Sequence, residues 1–384
     1  MQIPATLLQP EHVVTGRGTR HQLADALPAD FRNFLIVRSR SAHWANDAGR
    51  VLSGRGGRVE VLDAVGEPDV NTLRRLLDHY RACDLHGVIA IGGGAAIDLG
   101  KAVAALIPQS HDPLHYLEVV GDGQKMEQDP LFFAAMPTTS GTGAEATKNA
   151  VITVPDHGVK VSLRDDRMIP DLVILDPDLV DGLPAPITFM TGLDAITQLI
   201  EPYLSTRATP ETDSICLQGL RLALPAMHQL TLGENRAARD AMSQAAYLSG
   251  VALAYAGLGV VHGLAGIMGG QLGVAHGAIC ARLLPSAMRV NQMACVEQGL
   301  ATDKFDHIAA LVQQSWPNAT GDLHRDLFHF VAGRGIATWP DVALTADMME
   351  ILVDGAMRAS SYQTNPVTLS RTQIQQVLHG ACTT

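Results

Sequence analysis

The stretch "GVIAIGGGAAIDLGKAVA", Gly87 to Ala104, decides the fold. Its opening residues are apolar enough for a strand buried on both faces, and from Ala95 to Ile107 the rhythm is helical, with a glycine triplet at the change. A strand that runs through glycines into a helix opens a βαβ unit. Gly92, Gly93 and Gly94 let backbone amides approach a pyrophosphate at the helix N-terminus, although plain turns use such triplets too.

Neighbouring segments repeat the pattern. "FLIVRS" (Phe34 to Ser39), "VEVLDAV" (Val59 to Val65), "FFAAMPTT" (Phe132 to Thr139) and "LVILDP" (Leu172 to Pro177) read as further buried strands, and Val70 to Cys83 as a helix. This alternation predicts a parallel sheet covered by helices. After Pro184 and Pro186 the periodicity is 3.6 residues throughout, with no strand signal from Thr188 onward. The expected organisation is an α/β dinucleotide-binding domain over residues 1–183 and an all-α metal- and substrate-binding domain over 184–384.

Composition bounds the function. A chain of 384 residues with 47% hydrophobic and 17% charged residues builds a large core. A net charge of −11 disfavours nucleic acid and anionic membranes, which need clustered Lys and Arg. No basic leader and no apolar run of spanning length is present, so a soluble, cytoplasmic protein is expected. Five cysteines without CxxC spacing read as reduced thiols, mostly in the core.

Two further stretches bear on a cofactor. "PTTSGTGAEATKNAVI", Pro137 to Ile152, follows another strand and offers Thr138, Thr139, Ser140 and Thr142 in one short turn, while Asp98 and Lys101 lie one helical turn beyond the glycine triplet. Two phosphate-friendly loops at strand ends suit a dinucleotide, though two polar turns that merely cap helices give the same pattern. At the end of the Phe34 strand an acidic residue would accept the ribose hydroxyls of NAD(H). The sequence there is Arg38, Ser39, Arg40, which favours NADP(H) unless both arginines are simply solvated.

The candidate metal site begins in "GLDAITQLIEPYLS", Gly192 to Ser205, where Asp194 and Gln198 share one helical face at i and i+4. Glutamine is an unusual ligand type, and the spacing alone leaves its role open. His262 and His276 stand out in "GVVHGLAGIMGGQLGVAHG". On one unbroken helix they would lie about 21 Å apart, but Gly269, Gly270 and Gly273 permit a break that brings the second back. With Asp194 they would form the carboxylate-plus-imidazole set of a catalytic Zn²⁺ or Fe²⁺.

In this order the motifs resemble those of the iron-containing, or group III, alcohol dehydrogenases. "GGGAAIDLGK", "PTTSGTGAEAT", "PDLVILDP", "GVVHG", "AHG" and "TNPV" carry the resemblance, with Ala95 in place of the usual serine. It implies an N-terminal Rossmann-like domain, a helical C-terminal domain and an active-site cleft between them. It implies hydride transfer between NAD(H) or NADP(H) and a small alcohol or aldehyde, one divalent metal, and a homodimer or larger assembly. Catalysis would rest on Asp194, His262 and His276, with metal ligands at Asp194, Gln198, His262 and His276. Gln198 falls where the family has a histidine, and Gly266 falls where it has another. Lys160 and the Thr138/Thr139 loop would lie near the cofactor, and Leu253 stands where phenylalanine is frequent, which suggests a roomier pocket. Rival readings are a metal-independent reductase of the maleylacetate reductase type, a dehydroquinate synthase-like lyase, and a binding protein that has lost catalysis.

Overall fold

The structure is a computed structural model that describes residues 3–4, 6–7, 9–332, 334 and 344–382. It divides into two compact units: Leu8–Thr139 with Gly143–Asp181, and Ser140–Thr142 with residues from Gly182 onward.

The first unit holds strands β1 (His12–Thr15), β2 (Phe34–Ser39), β3 (Val59–Ala64), β4 (Gly87–Gly92), β5 (Phe132–Pro137), β6 (Asn149–Val154), β7 (Val159–Arg164) and β8 (Leu172–Leu175). Its α-helices are α1 (Leu23–Ala26), α2 (Ala45–Ser53), α3 (Val70–Tyr80) and α4 (Gly94–Leu106). Six strands form a parallel sheet in the order β1-β8-β5-β4-β2-β3. All six residues of β4 are buried, as its unbroken apolar run requires for a strand covered on both faces. Phe34, Ile36, Ile89, Ile91, Met136 and Ile174 belong to one core cluster with Leu52 of α2.

Strand order locates the ligand crevice. From β2 the chain steps outward to β3, then returns to lay β4 on the other side of β2, and the next strand, β5, continues away from it. The switch therefore falls between β2 and β4, whose carboxyl ends are Ser39 and Gly92. In open α/β sheets a ligand binds at that point.

Several elements of this unit were not anticipated from the sequence, α1 among them. Strand β1 has only four residues, with exposed ends, and pairs with β8 about 160 residues later. The antiparallel hairpin β6–β7 has alternating burial instead of a continuous apolar run. Helix α2 follows directly on the Arg-Ser-Arg-Ser turn.

The second unit is helical: α5 (Ala185–Leu204), α6 (Pro210–Leu232), α7 (Arg236–Ala256), α8 (Val260–Leu272), α9 (His276–Glu297), α10 (Asp303–Ser315), α11 (Leu323–Val331), α12 (Ala346–Arg358) and α13 (Arg371–Cys382). No strand occurs in it among the described residues. Pro186 lies in the first turn of α5, where a missing N–H costs nothing. From Gly192 to Leu204 every residue of α5 is buried, and α6, α7 and α9 pack against it. No single helix among the described residues is long and apolar enough to cross a membrane.

Candidate active site

Asp194 sits on α5, His262 in the first turn of α8, and His276 opens α9. The break that returns the second histidine is at Gly273, whose left-handed φ of 64° ends α8, while Gly269 and Gly270 remain inside the helix. Gly277 lets α9 approach α5, because a Cβ there would lie 2.5 Å from the Met190 carbonyl oxygen. Both histidines thus reach the same carboxylate oxygen. His262 Nε2 is 3.4 Å and His276 Nε2 3.7 Å from Asp194 Oδ1.

A fourth donor completes the group. Cys280, one turn after His276 on α9, places Sγ 3.8 Å from His262 Nε2 and 3.6 Å from His276 Nε2. The donor atoms of Asp194, His262, His276 and Cys280 all lie within 4.8 Å of one another. Cysteine count and spacing place the five thiols mostly in the core; Cys280 is buried, but among ligating atoms. Its signal in the sequence was the i, i+4 spacing from His276.

Electrostatics show what the cluster lacks. Burial alone would push the Asp194 carboxyl up, yet the His262 and His276 imidazoles hold it below the usual carboxylate range. Burial would likewise lower both imidazoles, but Cys280, Asp194 and, for His262, Glu201 outweigh it. His262 is raised well above its ordinary value and His276 to about 9. Asp194 Oδ1 is buried and accepts no hydrogen bond of normal geometry. A carboxylate oxygen without a hydrogen-bond partner, with two imidazole nitrogens and a sulfur converging on the same space, is a donor set that fits a divalent metal.

His262 is oriented by Glu201, which lies two helical turns after Asp194 on α5. Glu201 accepts from His262 Nδ1 at 2.6 Å and from the Val261 N–H at 2.7 Å, and Asn365 of the "TNPV" segment accepts from the Val260 N–H at 3.0 Å. These acceptors take the leading N–H groups of α8 and the Nδ1 proton of His262, so Nε2 is the ring atom turned toward Asp194. Gln198, the expected fourth ligand, is buried on α5 and its Oε1 accepts from Ser249 Oγ on α7 at 3.2 Å.

In the first unit, Gly92 ends β4, Gly93 caps α4 without any side-chain bond, and Gly94 begins that helix. The uncapped first turn leaves N–H groups for a pyrophosphate. The Gly93 N–H donates to Ser39 Oγ at 3.2 Å across the switch point, and Thr138 N–H donates to the Gly92 carbonyl at 2.9 Å. Thr139 Oγ1 would lie 3.3 Å from a Cβ on Gly93. This bare glycine-lined turn fits a nucleotide.

Other expected cofactor residues are engaged within the protein. Arg38 donates to Asp63 and Asn46, both at 2.7 Å, whereas Arg40 is 71% exposed and only 3.8 Å from Asp63. Asp98 accepts from the Val151 N–H at 3.2 Å, and Lys160 pairs with Glu67. Thr142 belongs to the short segment grouped with the helical unit, where Ser140 Oγ lies 3.4 Å from Ser243 Oγ. Lys101 is buried and donates to the carbonyls of Ala144, Thr147 and Asn149 at 2.6, 2.6 and 3.1 Å, so it builds the following loop.

Glu145 in that loop is buried, and desolvation raises its carboxyl to about 7, with Lys101 opposing. Between pH 4.5 and 7 the folded state therefore binds more protons than the unfolded one, and stability falls as pH rises, by at most about 1.4 kcal/mol per pH unit. Glu145→Gln should flatten the urea-unfolding profile across that window. An unchanged slope would assign it to another group.

Residues 10–177 match the iron-containing alcohol dehydrogenase domain and residues 188–382 the C-terminal domain of the Fe-containing alcohol dehydrogenase family. The chain is 33% identical over 318 residues to the probable alcohol dehydrogenase EutG of Escherichia coli (strain K12), covering 81% of this chain and 76% of that one. It is 29% identical over 356 residues to 4-hydroxybutyrate dehydrogenase of Cupriavidus necator, covering 90% and 91%. The sulfoacetaldehyde reductase of Bifidobacterium kashiwanohense, solved in complex with NAD+, superposes with a TM-score of 0.84 at 25% identity over the whole of both chains. Motif order, sheet topology, the Asp194–His262–His276 cluster and these matches agree, and the chain belongs to the iron-containing alcohol dehydrogenase family, as an oxidoreductase acting on alcohols.

Proposed function

We propose that this protein is a metal-dependent, NAD(P)-linked alcohol dehydrogenase or aldehyde reductase that prefers NADP(H) and uses Zn²⁺ or Fe²⁺. The observation that carries the reading is the buried Asp194 carboxylate, with an oxygen that accepts no hydrogen bond, beside His262 and His276. When bound, the metal supplies Lewis acidity to a carbonyl and the nicotinamide supplies the hydride. The chain's own residues do the positioning. Glu201 holds His262 in one tautomer, and His276, with a side chain 33% exposed against 6% for His262, marks the side open to substrate. In this reading residues 1–183 bind the dinucleotide and residues 184–384 the metal and substrate.

The curated relatives include an enzyme named for 4-hydroxybutyrate and a solved structure named for sulfoacetaldehyde. A short aldehyde with a polar group at its far end is therefore a reasonable substrate class. The acidic surface charge supports a soluble cytoplasmic protein, and the family resemblance a homodimer or larger assembly.

Preference for NADP(H) rests on Ser39, which puts no carboxylate at the end of β2, and on exposed Arg40. Arg40→Ala should raise KM for NADPH about tenfold and leave KM for NADH unchanged, the scale of one exposed charge-assisted contact. Equal effects on both cofactors would remove Arg40 from phosphate recognition.

The deciding experiment strips the protein of metal, confirms its loss by elemental analysis, and follows NADPH and NADH oxidation with short aldehydes before and after anaerobic addition of Zn²⁺ or Fe²⁺. Stoichiometric cofactor consumption restored by metal is expected. Full turnover without metal would establish a metal-independent reductase, and conversion without net cofactor consumption a lyase.

A further inference from the structure

We propose that Cys280 is the fourth protein ligand of the metal, in place of Gln198, so that the site is Asp–His₂–Cys. The proposal rests on the metal-dependent reading above and adds a thiolate to it. Ligand distances of 2.0–2.3 Å around a tetrahedral ion separate neighbouring donors by roughly 3.3–3.6 Å. Four of the six edges are 3.4 Å from Asp194 Oδ1 to His262 Nε2, 3.7 Å from Asp194 Oδ1 to His276 Nε2, 3.8 Å from Cys280 Sγ to His262 Nε2 and 3.6 Å from Cys280 Sγ to His276 Nε2, and the other two are within 4.8 Å. The sulfur thus holds the position of a donor.

A core thiol would face apolar side chains, as a small hydrophobe does. Cys280 instead faces two imidazole nitrogens at nearly equal distance, and its single S–H proton serves only one of them. Asp194 Oδ1, buried and without a donor, points into the same space. Gln198 occupies the i+4 position on α5 that mirrors Cys280 on α9, but its amide oxygen is already bonded to Ser249. Coordination breaks the S–H bond, releases that proton to solvent and forms the sulfur–metal bond. A thiolate in the set favours Zn²⁺ and disfavours Mg²⁺ and Mn²⁺.

The test titrates metal-free full-length protein with Co²⁺ and reads bound metal alongside the near-ultraviolet thiolate-to-cobalt charge-transfer absorption. One ion per chain with that band is expected. The band should vanish in Cys280→Ser and persist in Gln198→Ala, and Cys280→Ser should lower Zn²⁺ affinity at least about 100-fold, since loss of an outer partner alone costs 10–100-fold. If Cys280→Ser does not fold, Cys280→Ala serves, because a band that survives it comes from another of the five cysteines and overturns the assignment. One ion bound without the band sinks the thiolate while leaving the metal-dependent reading intact. No ion bound at all overturns both.

Discussion

Asp194→Asn is expected to empty the metal site and lower kcat/KM at least about 1,000-fold. The substitution preserves shape and removes only the charge, so the effect reports on electrostatics. Asp194 is buried, and its Oδ1 has the two imidazole Nε2 atoms as neighbours in place of a hydrogen-bond donor. A neutral amide there leaves a dication with no carboxylate among its ligands. Lewis-acid stabilisation of a developing oxyanion is worth several kcal/mol, and each 1.36 kcal/mol is a factor of ten in rate, which sets the expected scale at roughly three decades. Elemental analysis, kinetics and thermal unfolding on the same preparation separate lost metal from lost fold. If the variant keeps stoichiometric metal and a rate within tenfold of the parent, the cluster is not where the reaction occurs.

The sequence made some of these features visible and hid others for physical reasons. Continuous apolar runs such as Gly87–Gly92 signal strands buried on both faces, and all five expected strands formed. Val59–Ala64 is not a buried one, however: it is β3 at the sheet edge, where its residues, the charged Glu60 and Asp63 among them, are half-buried to exposed. Strand order is different, because pairing β1 with β8 depends on contacts about 160 residues apart that leave no local pattern. The hairpin β6–β7 does carry a signal, alternation around "PDHG", but its half-buried strands lack the continuous apolar run that marks the central sheet. At the site, Asp194 was legible from its own helix, and the glycines up to Gly273 permitted the break that brings His276 back to His262, but spacing alone does not single these two out among 15 histidines. Cys280 is legible at i+4 from His276, but a single cysteine without CxxC spacing carries no ligand signal of its own. Arg38 shows what residue type alone leaves out. Its type suited a phosphate, but Asp63 on the adjacent strand and Asn46 on α2 already engage it.

Glu201 is the residue whose importance the sequence concealed most, and Glu201→Gln should weaken metal binding 10–100-fold, the usual cost of losing an outer-shell partner. The carboxylate accepts two hydrogens at once, from His262 Nδ1 at 2.6 Å and from the Val261 N–H at 2.7 Å. An amide has one acceptor and one donor end. If its oxygen keeps the Val261 N–H, its NH₂ faces His262 Nδ1 and selects the tautomer with a proton on Nε2, the atom that must offer its lone pair to the metal. If the amide flips, the Val261 N–H at the start of α8 loses its acceptor instead. Gly259 shows how little room exists for adjustment, since a Cβ there would lie 2.8 Å from Glu201 Oε1. The Zn²⁺ dissociation constant, measured by competition with a chromophoric chelator, checks the weakening. A positioning role further predicts that kcat recovers at saturating metal while the apparent metal affinity does not. Parent-like affinity in Glu201→Gln would show that His262 is held by α8 alone, and that the carboxylate serves only to cap the helix.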